Sequence, residues 1–390
     1  MTDSPPHGFA ERAAAARARF DATAWFPGLD GLRCLAITAV IWHHCLPRAW
    51  PGWLGRGHAG VPLFFALSGF LITHLLIAEW RRSGDILLGW FWLRRCLRIF
   101  PLYYAVLAAF AVGLGLASES DTRRHFFASL PFYATYTSTW FVDYAVPHPV
   151  SFGFAWSLAV EEQFYVFWPP LLRATLRRSW WLAVAAAALV IAVDQCGEAG
   201  VFSVWLPEGQ SPHRIATSFA PALSLGSLLG LGTAHRRGFV ALFALLGGRA
   251  SVPMCLAVSG ALIAAPVGPP ILLDLAFAAL VGASVLSHSA SSRWLALPPL
   301  TRIGQVSYGL YLFHVPVIGT LRRLAPGIAE QPLGLFPLVL VTSYGVAALS
   351  YRHVERPLLG LKELFRPRSE PGPPSSAQPQ TQTQTLARPA

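Results

Sequence analysis

Apolar residues run along this chain in long stretches, without the two-residue alternation of a half-buried strand or the narrow stripe of a surface helix. About 20 such residues cross the hydrocarbon of a bilayer. Stretches of that order lie near 30–46, 59–78, 99–117, 153–172, 180–194, 214–234, 250–267, 270–287, 303–320 and 335–351. They predict an all-α, polytopic membrane helix bundle of about ten transmembrane helices. A further stretch, 126–141 (FFASLPFYATYTSTWF), is apolar but short, aromatic and broken by Pro131, and reads as a re-entrant or interfacial piece. Residues 1–25 are Ala/Arg-rich and lack the apolar core of a signal peptide, so they form a cytoplasmic N-terminal segment. The membrane domain is expected over 26–365. Residues 366–390 are rich in Pro, Gln and Thr and read as a disordered cytoplasmic tail. No internal repeat is visible.

Composition sharpens this picture. Of 390 residues 54% are hydrophobic and only 13% charged, about half the charged share of a soluble domain; mean hydropathy is +0.47. The formal charge is +11, and Lys362 is the only Lys among 30 basic residues. In a membrane protein such charge collects in cytoplasmic loops, and no basic run is interleaved with aromatics, so no nucleic-acid partner is expected. With both termini cytoplasmic, 22 Lys and Arg residues fall on the inner side and 7 on the outer, which supports this orientation. The five Cys show no CxxC spacing and read as small hydrophobes. There is no HExxH, no Gly-rich phosphate loop and no metal-ligand spacing, so no metal site is expected. Gly60 and Gly69, with Ser68 between them in the chain, suit close helix packing.

Ionisable groups inside spans are expensive and mark candidate sites. In LDGLRCLAITAVIWHHC, Asp30 is placed as the N-cap of the first span. Arg33 and His44 are eleven residues apart, roughly three turns, and so share a face about 16 Å apart along the axis; His43 points elsewhere. In FWLRRCLRIFPLYY, Arg95 and Arg98 form an i,i+3 fork suited to phosphate, against the plainer reading of a positive-inside anchor with Arg94. In FAWSLAVEEQFYVFWPP, Ser157, Glu161 and Tyr165 recur at i, i+4 and i+8. Glu161 is expected at the depth of His44, where a carboxylate can orient the imidazole. In IGQVSYGLYLFHVPV, Ser307, Tyr311 and His314 share a face and Tyr308 lies beside them, as pocket lining or packing contacts.

Six segments, in order LDGLRCLAI, GVPLFFALSGFLIT, LRRCLRIFPLYY, WSLAVEEQFYVFWP, GQVSYGLYLFHVPV and YRHVERP, resemble the acyltransferase 3 family of integral-membrane O-acyltransferases. The resemblance runs from about 27 to 360, nearly the whole expected membrane domain. It implies a ten-helix fold in a bacterial cytoplasmic (inner) membrane. It also implies transfer of an acyl group, often acetyl, from cytoplasmic acyl-CoA to a sugar or glycan hydroxyl on the outer side. Acyl-CoA is then a co-substrate, with no permanently bound cofactor. The family's paired Arg and His match Arg33 and His44, its Arg-x-x-Arg matches Arg95 and Arg98, and its Ser-Leu-x-x-Glu matches Ser157, Leu158 and Glu161. Pro62 departs from the acidic residue that many members carry there. Some members fuse a soluble transferase domain after the membrane domain; these 390 residues hold none, so the membrane domain is expected to meet the acceptor itself.

The residues alone accommodate that chemistry. Arg95 and Arg98 hold the anionic end of a CoA, and the pantetheine arm passes Arg33. His44 then acts as general base on the acceptor hydroxyl or first takes the acyl group itself, with Glu161 orienting the ring. Tyr308, Ser157 or Tyr165 supplies the oxyanion donor. A secondary transporter and a non-enzymatic envelope-assembly partner are the competing readings; consumption of a CoA thioester separates them. The topology is testable on its own. Cys196 is the only Cys expected in an outer loop, so a membrane-impermeant thiol reagent should label it on intact spheroplasts. Labelling only from the cytoplasmic side, with the N-terminus confirmed cytoplasmic, would place an extra span upstream and remove the depth match of Glu161 to His44.

Overall fold

The computed structural model describes residues 8–361, apart from 24, 47–51, 148, 207–210, 217, 219, 265–267, 288–289 and 330. Lys362 and the tail 366–390 lie outside the described residues. Among those described, every regular element is helical and no strand occurs. The principal helices are α1 (Phe9–Ala22), α2 (Pro27–Cys45), α3 (Gly60–Ser83), α4 (Leu88–Gly115), α5 (Asp121–Ala134), α6 (Trp156–Leu176) and α7 (Trp180–Glu198). They continue with α8 (Pro221–Ala234), α9 (Arg236–Leu246), α10 (Ser251–Ala264), α11 (Pro270–Leu286), α12 (Pro298–Gln305), α13 (Ser307–Leu324) and α14 (Pro332–Ser350).

A helix occupies each of the ten apolar stretches. Among the described residues, four helical segments are by themselves long and apolar enough to cross a bilayer: Gly57–Ser83, Leu88–Gly115, Trp180–Glu198 and Pro332–Gly360. The number rises to six if two bent pairs each count as one span, α1 with α2 at 75° and α9 with α10 at 74°. The rest fall short for physical reasons. Helices α6 and α13 carry Glu161, Glu162 and Arg173, and Arg322 and Arg323. Helices α8 and α11 have 14 and 17 residues, about 21 and 26 Å, and are packed inside the bundle. In the 126–141 region, α5 ends at Ala134. Tyr136 follows with a φ of 54°, and a single turn occupies Ser138–Phe141. The hydroxyls of Tyr103 and Tyr104 each donate at 2.8 Å to the carbonyls of Tyr133 and Ala134, which satisfies the last turn of α5. No single helix of spanning length forms here.

The N-terminal stretch, left without an element by its composition, forms α1. Phe20 is buried, with its ring 5.4 Å from Phe26, 5.3 Å from His74 and 5.6 Å from Phe239. Arg17 donates to the carbonyls of Thr233 (2.7 Å) and Ala234 (3.1 Å), and Arg81 also donates to Ala234. The open C-terminal end of α8 thus meets two guanidiniums, as its dipole favours.

Two turns of geometry position the central helices. Pro169 has no N–H to give the carbonyl of Tyr165 inside α6; the indole Nε1 of Trp92 donates to that carbonyl instead, at 3.0 Å. Asp85, between α3 and α4, accepts from Arg173 Nε at 2.7 Å and from Arg177 at 2.8 Å. The Arg173 hydrogen bond above all holds its carboxyl well below the usual carboxylate range. The α3–α4 turn is thereby tied to the end of α6.

Close packing sets the remaining contacts. Gly60 and Gly69 serve it as expected: a Cβ on Gly69 would stand 2.0 Å from the carbonyl oxygen of Leu223 in α8, and one on Gly60 2.3 Å from that of Ala36. In α12, a Cβ on Gly304 would stand 1.9 Å from the carbonyl oxygen of Asp30, so α12 locks the first turn of α2. Gly69→Ala should therefore destabilise the protein by about 2 kcal/mol, the scale of core overpacking. Gly260→Ala, with nothing within 4 Å of its added Cβ, should be neutral or slightly stabilising. Thermal unfolding in detergent checks both; equal midpoints would mean that the α3–α8 contact is not close-packed.

Candidate active site

A cavity of about 290 Å³ lies between α2, α3, α4, α6 and α13. It gathers ten of the twelve candidate residues: Asp30, Arg33, Arg95, Arg98, Ser157, Glu161, Tyr165, Ser307, Tyr308 and Tyr311. Residues far apart in the chain thus converge because their helices turn one polar strip each toward a shared interior.

Asp30 is not the N-cap of α2. The helix starts at Pro27, whose fixed φ and missing N–H suit a first helical position, and Phe26 is the cap. Asp30 lies buried in the first turn, where its carboxylate accepts from Arg33 at 2.7 Å and from the indole of Trp25 at 2.8 Å. Arg33 is thereby held at the cavity wall.

The α4 arginines divide. Arg94 pairs with Glu79 at 3.2 Å. The guanidinium of Arg95 stands 5.5 Å over Phe91 and 5.3 Å over Tyr165, a cation–π seat. Neither Arg95 nor the more exposed Arg98 has a carboxylate within 4 Å among the described residues. Both also line a second cavity, of about 300 Å³, which includes Glu79, Arg82 and Arg94. The two arginines therefore stand between the cavities.

Glu161 accepts hydrogen bonds from the hydroxyls of Ser68 and Tyr165. It makes no hydrogen bond or ion pair with His44, which corrects the expected pairing. Its face of α6 turns toward α3 and the arginines. One turn further, Ser157 Oγ lies 2.5 Å from Tyr311 OH, which itself donates to the Phe154 carbonyl at 2.7 Å. With that single proton committed, Ser157 must be the donor in the Ser157–Tyr311 bond.

His44 and His314 lie beyond this end of the cavity. The Tyr311 and His314 rings are 5.5 Å apart, and the His314 and His44 rings 4.8 Å. His44 Nδ1 is 2.9 Å from the Val40 carbonyl and His314 Nδ1 is 2.6 Å from the Tyr311 carbonyl. A carbonyl only accepts, so each Nδ1 carries the proton and each Nε2 is the basic nitrogen. His314 is fully buried and its Nε2 has no hydrogen-bond partner among the described residues. His43 does point elsewhere, with Nδ1 on the Gly55 carbonyl at 2.9 Å. The three hydroxyls considered as oxyanion donors are all engaged: Tyr165 on Glu161, Ser157 on Tyr311, and Tyr308 on the Ile99 carbonyl at 2.7 Å.

A family model described as "Acyltransferase domain" matches residues 26–352. The chain belongs to this acyltransferase family. It is 29% identical over 361 residues to the peptidoglycan O-acetyltransferase OatA of Listeria monocytogenes, covering 86% of this chain and 56% of that protein. It is 29% identical over 367 residues to the putative peptidoglycan O-acetyltransferase YrhL of Bacillus subtilis, covering 86% and 55%. A putative O-acetyltransferase of Staphylococcus aureus, SACOL0978, is 37% identical over 155 residues, 38% of this chain and 25% of that protein. The chain thus spans little more than half the length of the first two relatives. No solved structure matches it.

The acyltransferase domain, bounded by the family match, contains all twelve candidate residues. Its cavity is also lined by Trp25, Ser68, His74 and Glu162, which the sequence reading did not select as site residues. His74 was open to discovery, as a lone ionisable group within the apolar run FLITHLL. Trp25 was not, since nothing in the N-terminal segment signals an indole aimed at Asp30. Ser68 read as a packing residue, and only the fold sets it against Glu161. If Ser68 and Tyr165 share this carboxylate, Ser68→Ala and Tyr165→Phe should each cost about 1.5–3 kcal/mol in thermal unfolding, as for hydrogen bonds to a charged group. The double variant should depart from additivity by at least about 0.5 kcal/mol; additive costs would separate the two hydroxyls.

Proposed function

We propose that this acyltransferase domain moves an acyl group, acetyl in the first instance, from acyl-CoA to a hydroxyl of a cell-envelope glycan. The observation that carries the reading is the cavity itself. Two guanidiniums with no carboxylate within 4 Å among the described residues stand at one end, and two imidazoles with basic Nε2 atoms lie beyond the other. An arginine fork takes a phosphate bidentately, so Arg95 and Arg98 hold the diphosphate of CoA. The pantetheine arm then lies along the cavity past Arg33 and Glu161, and the thioester reaches the Ser157–Tyr311 end.

In the transfer step His44 Nε2 takes the proton of the acceptor hydroxyl as its oxygen bonds to the acyl carbon. The carbon–sulfur bond breaks with its electron pair on sulfur, and the proton passes to the thiolate, leaving CoA as the thiol. Glu161 acts on the donor side, fixing Ser68 and Tyr165 beside Arg95. The peptidoglycan O-acetyltransferase relatives support a glycan acceptor, and the basic bias of 22 to 7 supports cytoplasmic termini and a donor entering from that side. Placement in the bacterial cytoplasmic membrane follows from the same reading.

Acetyl-CoA turnover by the purified full chain tests it. His44→Ala should lower kcat by about 10²–10⁴-fold, the scale of a lost general base, with the unfolding midpoint unchanged, and His43→Ala should be much milder. Replacing Arg95 and Arg98 together by Ala should raise KM for acetyl-CoA at least about tenfold, the loss of some 1.4 kcal/mol of binding. Near-normal kcat in His44→Ala would remove the base from the mechanism, and unchanged CoA binding in the double variant would return the arginines to membrane anchoring.

A further inference from the structure

The second cavity, about 300 Å³ in volume, is joined to the first through shared walls at Leu75, Arg95 and Arg98. Its own walls combine two features. Leu76, Leu97 and Leu359 form an apolar lining, and Arg82 and Arg94 add two more guanidiniums. Glu79 is the carboxylate present, and it is spent: it pairs with Arg94 at 3.2 Å and accepts the Leu87 N–H at 2.8 Å. Arg82 gives its Nε only to the Ala78 carbonyl, at 3.2 Å. Among the described residues, Arg82, Arg95 and Arg98 therefore border one space with no carboxylate within 4 Å of any of them. In a chain with 13% charged residues, three such cations around one apolar-walled hollow call for an anionic ligand with a flat apolar part.

Resting on the acyl-CoA reading above, we propose that this cavity is the subsite for the 3′-phosphorylated adenosine end of the donor, with Arg82 as the residue that reads the 3′-phosphate. Arg95 and Arg98, standing between the cavities, take the diphosphate. The adenine lies against the leucine walls and Arg82, on the far side, meets the remaining phosphate. Arg94, held by Glu79, stays a wall of the subsite. The donor is thus selected as a nucleotide with two separate phosphate groups, and a small acyl phosphate would fill one position at most.

Calorimetric binding of CoA and of 3′-dephospho-CoA to the purified full chain tests this. The wild-type protein should bind CoA at least about tenfold more tightly, since a charge-assisted phosphate contact accounts for roughly 1.4 kcal/mol or more. In Arg82→Ala the ratio should fall to within about twofold, because CoA weakens and dephospho-CoA does not. The wild-type ratio needs no variant, so misfolding of Arg82→Ala cannot hide the answer. Equal affinity of the wild-type protein for both ligands would overturn the subsite and leave the donor reading standing, as would an Arg82→Ala variant that still binds CoA and keeps the wild-type preference over dephospho-CoA. Failure of the wild-type protein to bind either ligand would overturn the acyl-CoA reading, and this subsite with it.

Discussion

A charged side chain inside an apolar helix bundle must find a partner, because the bundle interior and the lipid around it offer too little water to solvate it. That constraint organises this protein. Asp30 and Arg33 satisfy each other within one turn of α2, with Trp25 closing the remaining acceptor. Glu79 satisfies Arg94 and the start of α4. Glu161 is satisfied by two hydroxyls, Ser68 and Tyr165. Once these carboxylates are accounted for, Arg82, Arg95 and Arg98 have none within 4 Å among the described residues, and they border one cavity. The pairing of these groups leaves binding capacity at that point, where Glu162, buried and with no hydrogen bond or ion pair among the described residues, also lines the first cavity.

The backbone obeys the same rule of satisfaction. Prolines inside membrane helices free carbonyls that something else must occupy. The Tyr165 carbonyl, left by Pro169, receives the indole of Trp92, and so α4 is fixed against α6 at the level where Arg95 meets the ring of Tyr165. Glycines act at the opposite extreme, where two backbones touch. Gly304 lets α12 rest on the carbonyl of Asp30, and through that contact the first turn of α2 holds Arg33 at depth. Positioning of the charged groups thus depends on residues that carry no charge.

The cavity also separates tasks that the helix faces alone merged. Arg33 and His44 do project from one face of α2, yet they serve different ends of the path: Arg33 lines the cavity, while His44 sits beyond Tyr311 beside His314. A helix face is continuous, but the space in front of it is interrupted by the Ser157–Tyr311 hydrogen bond. The carboxylate expected at His44 is replaced there by a second imidazole.

Helix class, the positions of the apolar stretches and most of the polar lining residues were legible in the chain, because hydropathy and the 3.6-residue repeat are local properties and an ionisable residue in an apolar run is conspicuous. Ten of the twelve residues chosen on that basis meet in one cavity. Local properties did not settle which partner each would take. Depth along an axis is set by where a helix begins, and Pro27 started α2 three residues before Asp30. The partner across the interface is set by helix packing, which put Ser68 on Glu161, His314 beside His44 and Trp25 on Asp30. The sequence by itself determined which side chains had to be hidden from lipid; only the tertiary structure decided which of them would satisfy one another, because that choice depends on crossing angles and close approaches between segments that may be more than 150 residues apart, as Ser157 and Tyr311 are.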